Sequence, residues 1–441
     1  MEDKKISFEE RLKQHPQLHQ RFESLLDIVE DAKGDLDKAN TAEERVIQEL
    51  RQMGKVAIEH WAEVKESQKT KQYREADNNG NIINKGKKKI WWHTTYGEIS
   101  INESRFTLNN VLNRPFSSSA DIQCRGYSAP LQRRMTDFGA DDSFAKASAK
   151  MEEHYGIIVP VSAMRTITEK HAEAIKTIPL ETTPALPDGK DCIIAETDGT
   201  MIPIVDCSKK VSKNNNDDNR KNRETFWKEG RLCLAYSQGS ATPFFSATMG
   251  KPDETGDHLI HAAINSGLGF NSIVHCVGDG ATWIANQVNR VFENQGSYLI
   301  DFFHLCEYLA PASDKCDRNK SMYKKHKEMI KNGNITEVVE LLRPHVEPDE
   351  VSDEKAPVKK CIRYVENRPG QFDYQNAIKN DLPIGSGLIE SAHRYVIQSR
   401  LKLTGAWWKK DIADNMLALR TLRANNMWEE YWADDFIRQV A

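Results

Sequence analysis

The chain has 441 residues, with 61 Lys and Arg against 65 Asp and Glu, for a net charge of −4 at neutral pH. That length holds two or three domains with real cores, and a composition of 39% hydrophobic and 29% charged residues excludes a largely disordered chain. No run of 18 apolar residues occurs and the opening MEDKKISFEERLKQHPQ lacks a signal-peptide core, so a cytoplasmic protein with no membrane partner is expected.

The eight cysteines are scattered without a C-x-x-C pair, which argues against a disulfide framework and a cysteine zinc finger. Three stretches are locally basic: 208–231, 315–331 and 393–410. Each alone reads as a solvated face; together they bracket one region that would attract a polyanion.

Residues 1–78 read as long polar helices, with LHQRFESLLDIVEDA spaced for a helix. Their apolar spacing sustains no heptad seam, but they are the candidate dimer contact. Residues 79–185 open with alternating β-type residues around Tyr96 and Gly97, which predicts a hairpin. Then SFAKASAKMEEHYGIIVPVSAMRTITEKHAEAI breaks into helix, a turn carrying Gly156 and Pro160, and a second helix that Ser162 would cap. This pair fits a helix-turn-helix presenting Arg165, Thr166 and Thr168 to a DNA groove, and equally two packed helices of a bundle.

The proline-rich IPLETTPALPDGKD (178–191) reads as a linker. Beyond it, strands are expected at 192–205, 231–238, 244–250, 273–277 and 297–304, with helices at 257–268 and over ATWIANQVNRVF. The order β-β-β-α-β-α-β predicts an α/β fold whose mixed sheet is antiparallel at first and parallel later. Residues 186–304 would form the first part of this core, 305–382 a helical insertion on its edge, and 383–441 a helix completing the core with a C-terminal tail.

Asp279 closes an apolar strand between two glycines, as HCVGDGATWI. Two readings fit: an ordinary turn, or an acid facing the crevice where α/β proteins collect ligands. Asp198 lies in the first strand, and Glu390 in the first turns of the helix opened by GSGLIES. Three carboxylates in one cleft suit two Mg2+ or Mn2+ ions, which support in-line displacement at phosphorus. A strand-end Asp301-x-x-His304 beside the cleft would orient a water or contact a phosphate, or form a structural hydrogen-bond pair. His258 and His261 share a helix face, but nothing nearby completes a zinc tetrahedron. Arg394, Arg400 and Lys402 would take phosphates; Trp407 and Trp408 would stack on an unpaired base or pack in the core.

The segments ETDGTMIPI, HCVGDGATWI, LIDFFHLCEYL and PIGSGLIESAHRYVIQSRLKLTGAWW resemble, in order and spacing, the motifs of bacterial insertion-sequence DDE transposases of the Kra type, which are akin to Mutator-like elements. The resemblance covers roughly residues 85–432 and implies an RNase H-like core with Asp198, Asp279 and Glu390 as catalytic metal ligands. Asp301 and His304 match a further acid-x-x-His feature. The choice of Glu390 over Glu307 as third acid rests on this resemblance. Relatives often carry cysteine pairs near the hairpin, whereas Trp91, Trp92 and His93 stand here, so no zinc-dependent contact is expected.

The implied function is metal-dependent cleavage at element ends, then attack of the freed 3′ hydroxyl on target DNA, with no covalent enzyme intermediate. The implied partners are double-stranded DNA and a second protomer, with residence on the nucleoid. Rival readings are an RNase H-like structure-selective nuclease and a domesticated DNA-binding protein without catalysis.

Overall fold

The computed structural model describes residues 7–76, 81–122, 126–184, 188–206, 223–316 and 321–433. It divides into two compact units: Met1–Thr168 with Tyr431–Ala441, and Glu169–Glu430.

In the first unit the expected polar helices are Pro16–Val29 and Ala39–Glu75. The predicted hairpin is β1 (Ile83–Thr94) and β2 (Gly97–Leu108), paired antiparallel and closed at Thr94 and Gly97, with β3 (Val111–Asn113) alongside. Ile90, Ile99 and Ile101 alternate onto one face and pack with Ala62 and Phe116. Three helices follow, Ala129–Asp141, Phe144–Tyr155 and Val161–Lys176, the last of which runs on past Thr168 into the second unit, and Leu131, Met135, Met151 and Met164 form their core. Gly156 ends the second in the left-handed region, as the sequence suggests. Two expectations are corrected. Ser162 lies inside the third helix, because the carbonyl of Pro160 accepts the N–H groups of Ala163 and Met164 and so starts it earlier. Thr168 is buried, its hydroxyl donating to the carbonyl of Met164, while Arg165 and Thr166 are exposed.

The second unit is built on β4 (Cys192–Asp206), β5 (Glu224–Ser237), β6 (Phe244–Thr248), β7 (Ile273–Gly278) and β8 (Gly296–Ile300). Their order across the sheet is β6-β5-β4-β7-β8, with β4, β5 and β6 antiparallel and β4, β7 and β8 parallel. This is the mixed α/β sheet predicted. Helices Pro252–Asn265 and Thr282–Phe292 cover one face, packing on Ile193, Ala195, Cys233, Ala235, Val274 and Cys276. On the other face, Ile202 fills the space left by Gly230, next to Leu417 of the helix Lys410–Ala424.

Three boundaries move. The helix expected at 257 begins at Pro252, where proline suits a first turn and Asp253 and Glu254 suit the helix dipole. β5 begins at Glu224, because its polar half pairs with the far end of β4. β8 stops at Ile300, because Asp301 caps a helix, Phe302–Cys316, that takes the DFFH run out of the strand. Most of the basic stretch 208–231 (208–222) lies outside the described residues. The expected helical insertion packs on the outer edge of β8: Leu305, Leu309, Val338, Cys361 and Tyr374 share a core with Leu299 and Ile300, and the N–H of Ile300 donates to the carbonyl of Gln371. That contact covers an edge strand which would otherwise offer unpaired backbone groups.

The described cysteines are all free, and no helix among the described residues is long and apolar enough to cross a membrane. His258 is buried against the hydroxyl of Ser246, and burial holds its imidazole down to about 3; His171 is held down to about 4 by the same cause. Between those values and the ordinary 6.5 the folded chain binds fewer protons than the unfolded one, so stability is full above pH 6.5 and falls as the pH drops. His258→Asn keeps a partner for Ser246 and should remove about 3 kcal/mol of the loss between neutral pH and pH 4, measured by urea unfolding across that range.

Candidate functional site

The parallel register pairs Glu196 of β4 with Val277 of β7. Two residues further along each chain stand Asp198, still within β4, and Asp279, in the turn just past the end of β7. The next strand continues the series. Ile300 of β8 pairs with Gly278, and the N–H of Asp301 donates to the carbonyl of Gly278 at 2.7 Å. Adjacent strands thus deliver Asp198, Asp279 and Asp301 to one end of the sheet.

Glu390 belongs to the short helix Gly387–Ala392, brought to the same end by two buried carboxylates. Asp301 accepts the N–H and hydroxyl of Ser386 on one oxygen, at 2.7 and 2.6 Å, and the N–H groups of Phe303 and His304 on the other. Gly385 has no side chain because a Cβ there would meet the Phe303 ring at 2.9 Å. Glu196 accepts the N–H of Ile389 at 2.9 Å. Burial pushes the Glu196 carboxyl up to about 7, and the charges of Asp301 and Glu390 add to that rise while the Ile389 N–H opposes it. Glu390 itself is exposed.

The Asp279 loop is clamped from the insertion. Tyr364 donates its hydroxyl to the carbonyl of Asp279 at 2.9 Å, Arg368 donates to the carbonyl of Gly280 at 2.7 Å, and the Asp279 carboxylate accepts the N–H of Ala281. Gly280 has a φ of +84°, and a Cβ on it would stand 2.3 Å from the Tyr364 hydroxyl. Gly280→Ala should therefore cost about 1–3 kcal/mol in denaturant unfolding through backbone strain alone.

Asp198 receives a neighbour that sequence reasoning missed. The imidazole of His393, which opens a π-helical stretch His393–Gln398 directly after the Glu390 helix, places Nε2 3.3 Å from an Asp198 oxygen. Glu196 was missed too. Both carried a signal: Glu196 is an acid in an otherwise apolar run two residues before Asp198, and His393 follows Glu390 by one helical turn. Among the described residues, no three His, Cys, Asp or Glu side chains stand close enough to hold a metal ion.

The remaining predicted residues divide. Lys402 donates to the Thr200 hydroxyl at 2.6 Å, two residues beyond Asp198 on the same strand face, and burial lowers its ammonium below the usual range. Arg394 is exposed, and Trp407 is 44% exposed beside Trp227. Arg400 is corrected and Trp408 takes the core alternative: at 2% and 5% exposure they are core residues, the guanidinium lying over the indole and the indole N–H donating to the carbonyl of Leu401. Trp408 also hydrogen-bonds through its backbone to Pro203 and Val205, extending the sheet beside the far half of β4. His304 packs between Tyr308 and Tyr364 and pairs with Glu307 at 3.5 Å. The side chain of Glu307 is 73% exposed, on the helix that Asp301 caps.

Fold and geometry together define a mixed α/β protein with acids from three parallel strands and one tethered helix at one end of the sheet. No family model matches the chain. It is similar to the UPF0236 protein in vanSb 3'region of Streptococcus gallolyticus, 23% identical over 358 residues that cover 77% of this chain and 74% of that one.

Proposed function

We propose that this chain is a DDE transposase: an RNase H-like core that cleaves and joins DNA with Mg2+ or Mn2+, preceded by a DNA-binding region. The observation that carries the reading is the parallel register of β4 and β7, which runs to Glu196 and Val277, two residues before Asp198 and Asp279, with the Glu390 helix tied to the same region through Asp301 and Glu196. The strand order β6-β5-β4-β7-β8, with β5 antiparallel to β4 and β7 parallel to it, supports an RNase H-like arrangement. The residue types suit a hard divalent ion: Asp198, Asp279 and Glu390 are carboxylates carried by separate elements, and the buried His393 imidazole beside Asp198 has no hydrogen-bond partner on either nitrogen.

Asp198, Asp279 and Glu390 would hold the ions. Bound divalent ions supply Lewis-acid stabilisation to in-line displacement at phosphorus. Asp301 and Glu196 position the Glu390 helix, and Tyr364 and Arg368 fix the Asp279 loop. Lys402 and Arg394 offer cations to the DNA backbone near these acids, and exposed Trp407 offers a face for an unpaired base. In the first unit, Arg165 and Thr166 lie exposed on a helix that would read a groove. Reaction at two element ends calls for two protomers.

The test uses duplexes taken from DNA flanking the coding sequence, with the full chain and Mg2+ or Mn2+. A transposase nicks the element end, leaves a 3′ hydroxyl and joins it to a second duplex. Cleavage without joining would favour the structure-selective nuclease, and binding without cleavage the non-catalytic DNA-binding protein.

A further inference from the structure

We infer that the helix Ala39–Glu75 carries a self-pairing surface whose occupant is the same helix of a second copy of this chain, running antiparallel to it. The inference rests on the reading above for its need of two protomers, and it names the face that joins them.

One face of this helix is turned inward. Ala62 packs with Ile90, Ile99 and Ile101 of the hairpin, and Glu66 accepts the N–H and hydroxyl of Ser104. A separate stripe, about a third of a turn away at roughly 100° per residue, runs Ile47, Leu50, Gly54, Ala57, Trp61 and Val64. Ile47, Leu50, Trp61 and Val64 are 41–48% exposed, and Ala57 is exposed as well. At Gly54 the hairpin turn completes the stripe: a Cβ there would stand 2.3 Å from the ring of Tyr96, which is itself 44% exposed. The ring takes the side-chain position that glycine leaves empty. Alternating steps of three and four residues keep one face of a helix against a partner helix. The seam is short because Glu43 and Gln68 stand at the next positions on either side.

The order of residues is self-complementary under a two-fold axis. Reversing the helix about a point between Lys55 and Val56 sets Ile47 against Val64, Leu50 against Trp61, and the Gly54 position against Ala57. In the last pairing the Tyr96 ring meets the short side chain of Ala57. Each pair occurs twice, as an isologous contact requires. The same axis brings the exposed Glu44 of one copy beside the exposed Lys65 of the other, at positions flanking the seam, so the charges there attract. Residues 1–75 hold 14 Lys and Arg against 17 Asp and Glu, a balance that draws in no polyanion, so a nucleic acid is not the occupant.

The experiment follows the full chain, without DNA or metal, by sedimentation equilibrium at tens of micromolar, with circular dichroism to check folding. Wild type should sediment as a dimer. Ala57→Arg and Leu50→Glu place good helix formers at exposed positions, so both should stay folded and weaken the dimer at least about thirtyfold. Glu44→Lys should weaken it about tenfold by setting lysine against Lys65. Adding Lys65→Glu to that variant should restore the dimer, a rescue that the antiparallel register supplies. A monomeric wild type, wild-type dimer strength in both Ala57→Arg and Leu50→Glu, or a double charge reversal no stronger than the single one overturns the inference. None of these outcomes touches the transposase reading, which stands or falls on the cleavage and joining assay.

Discussion

Asp279→Asn should reduce metal-dependent DNA cleavage by about a thousandfold or more while leaving DNA binding and unfolding nearly unchanged. The substitution is close to isosteric, and the amide oxygen can still accept the Ala281 N–H that shapes the turn. The contacts that clamp this loop run to backbone carbonyls, from Tyr364 to Asp279 and from Arg368 to Gly280, and do not involve the side chain. What disappears is one negative charge just past the end of β7. A loss of about 4 kcal/mol of transition-state stabilisation corresponds to the thousandfold effect. Asp198→Asn and Glu390→Gln should behave alike, since residues acting as one unit lose function together. Retained cleavage in Asp279→Asn, with melting and DNA binding unchanged, would refute the metal-site assignment and leave the register of β4 and β7 as a purely structural fact.

Asp301→Ala should be the most destabilising single change at this end of the sheet, by about 3–5 kcal/mol in urea or thermal unfolding. The carboxylate is buried and accepts four hydrogen bonds, two that cap the helix Phe302–Cys316 and two that hold Ser386. Hydrogen bonds to a charged acceptor are worth about 1.5–3 kcal/mol each, and truncation leaves the Ser386 N–H without its acceptor. Asp301→Asn keeps the helix cap but turns an amide donor toward another donor, so an intermediate loss is expected. This pair of variants separates the two readings of the Asp301-x-x-His304 pattern. A positioning role lowers stability and displaces Glu390. A role touching the reacting groups would instead abolish cleavage in Asp301→Asn without altering the unfolding midpoint.

The packing around His304 bears on the same question. Its backbone N–H is one of the two donors that Asp301 caps, and its ring lies against Tyr364, which anchors the Asp279 carbonyl. The DFFH segment thus connects the insertion to the strand ends: one acid holds the Glu390 helix while a neighbouring tyrosine holds the Asp279 turn. This gives the insertion on the β8 edge a mechanical part in shaping the site.

Local pattern alone determined the strand and helix order of the second unit, the hairpin at Tyr96 and Gly97, and the glycine-ended turn at Gly156. Each follows from side-chain periodicity or from the backbone freedom of one residue, and both are written in neighbouring positions. The start at Pro252 and the end of β8 at Asp301 were equally local, as proline and capping signals. Tertiary structure alone decided the rest. Arg400 reads as a phosphate contact and Trp408 as either a stacking or a core residue, and both are buried because the guanidinium lies on the indole and the Trp408 backbone extends the sheet beside β4. Glu196 and His393 acquire meaning only from partners 193 and 195 residues away in the chain, Ile389 and Asp198. Hydrophobic period governs what each segment becomes, whereas the surroundings of a polar side chain are set by distant segments folded against it, which no short window of sequence contains.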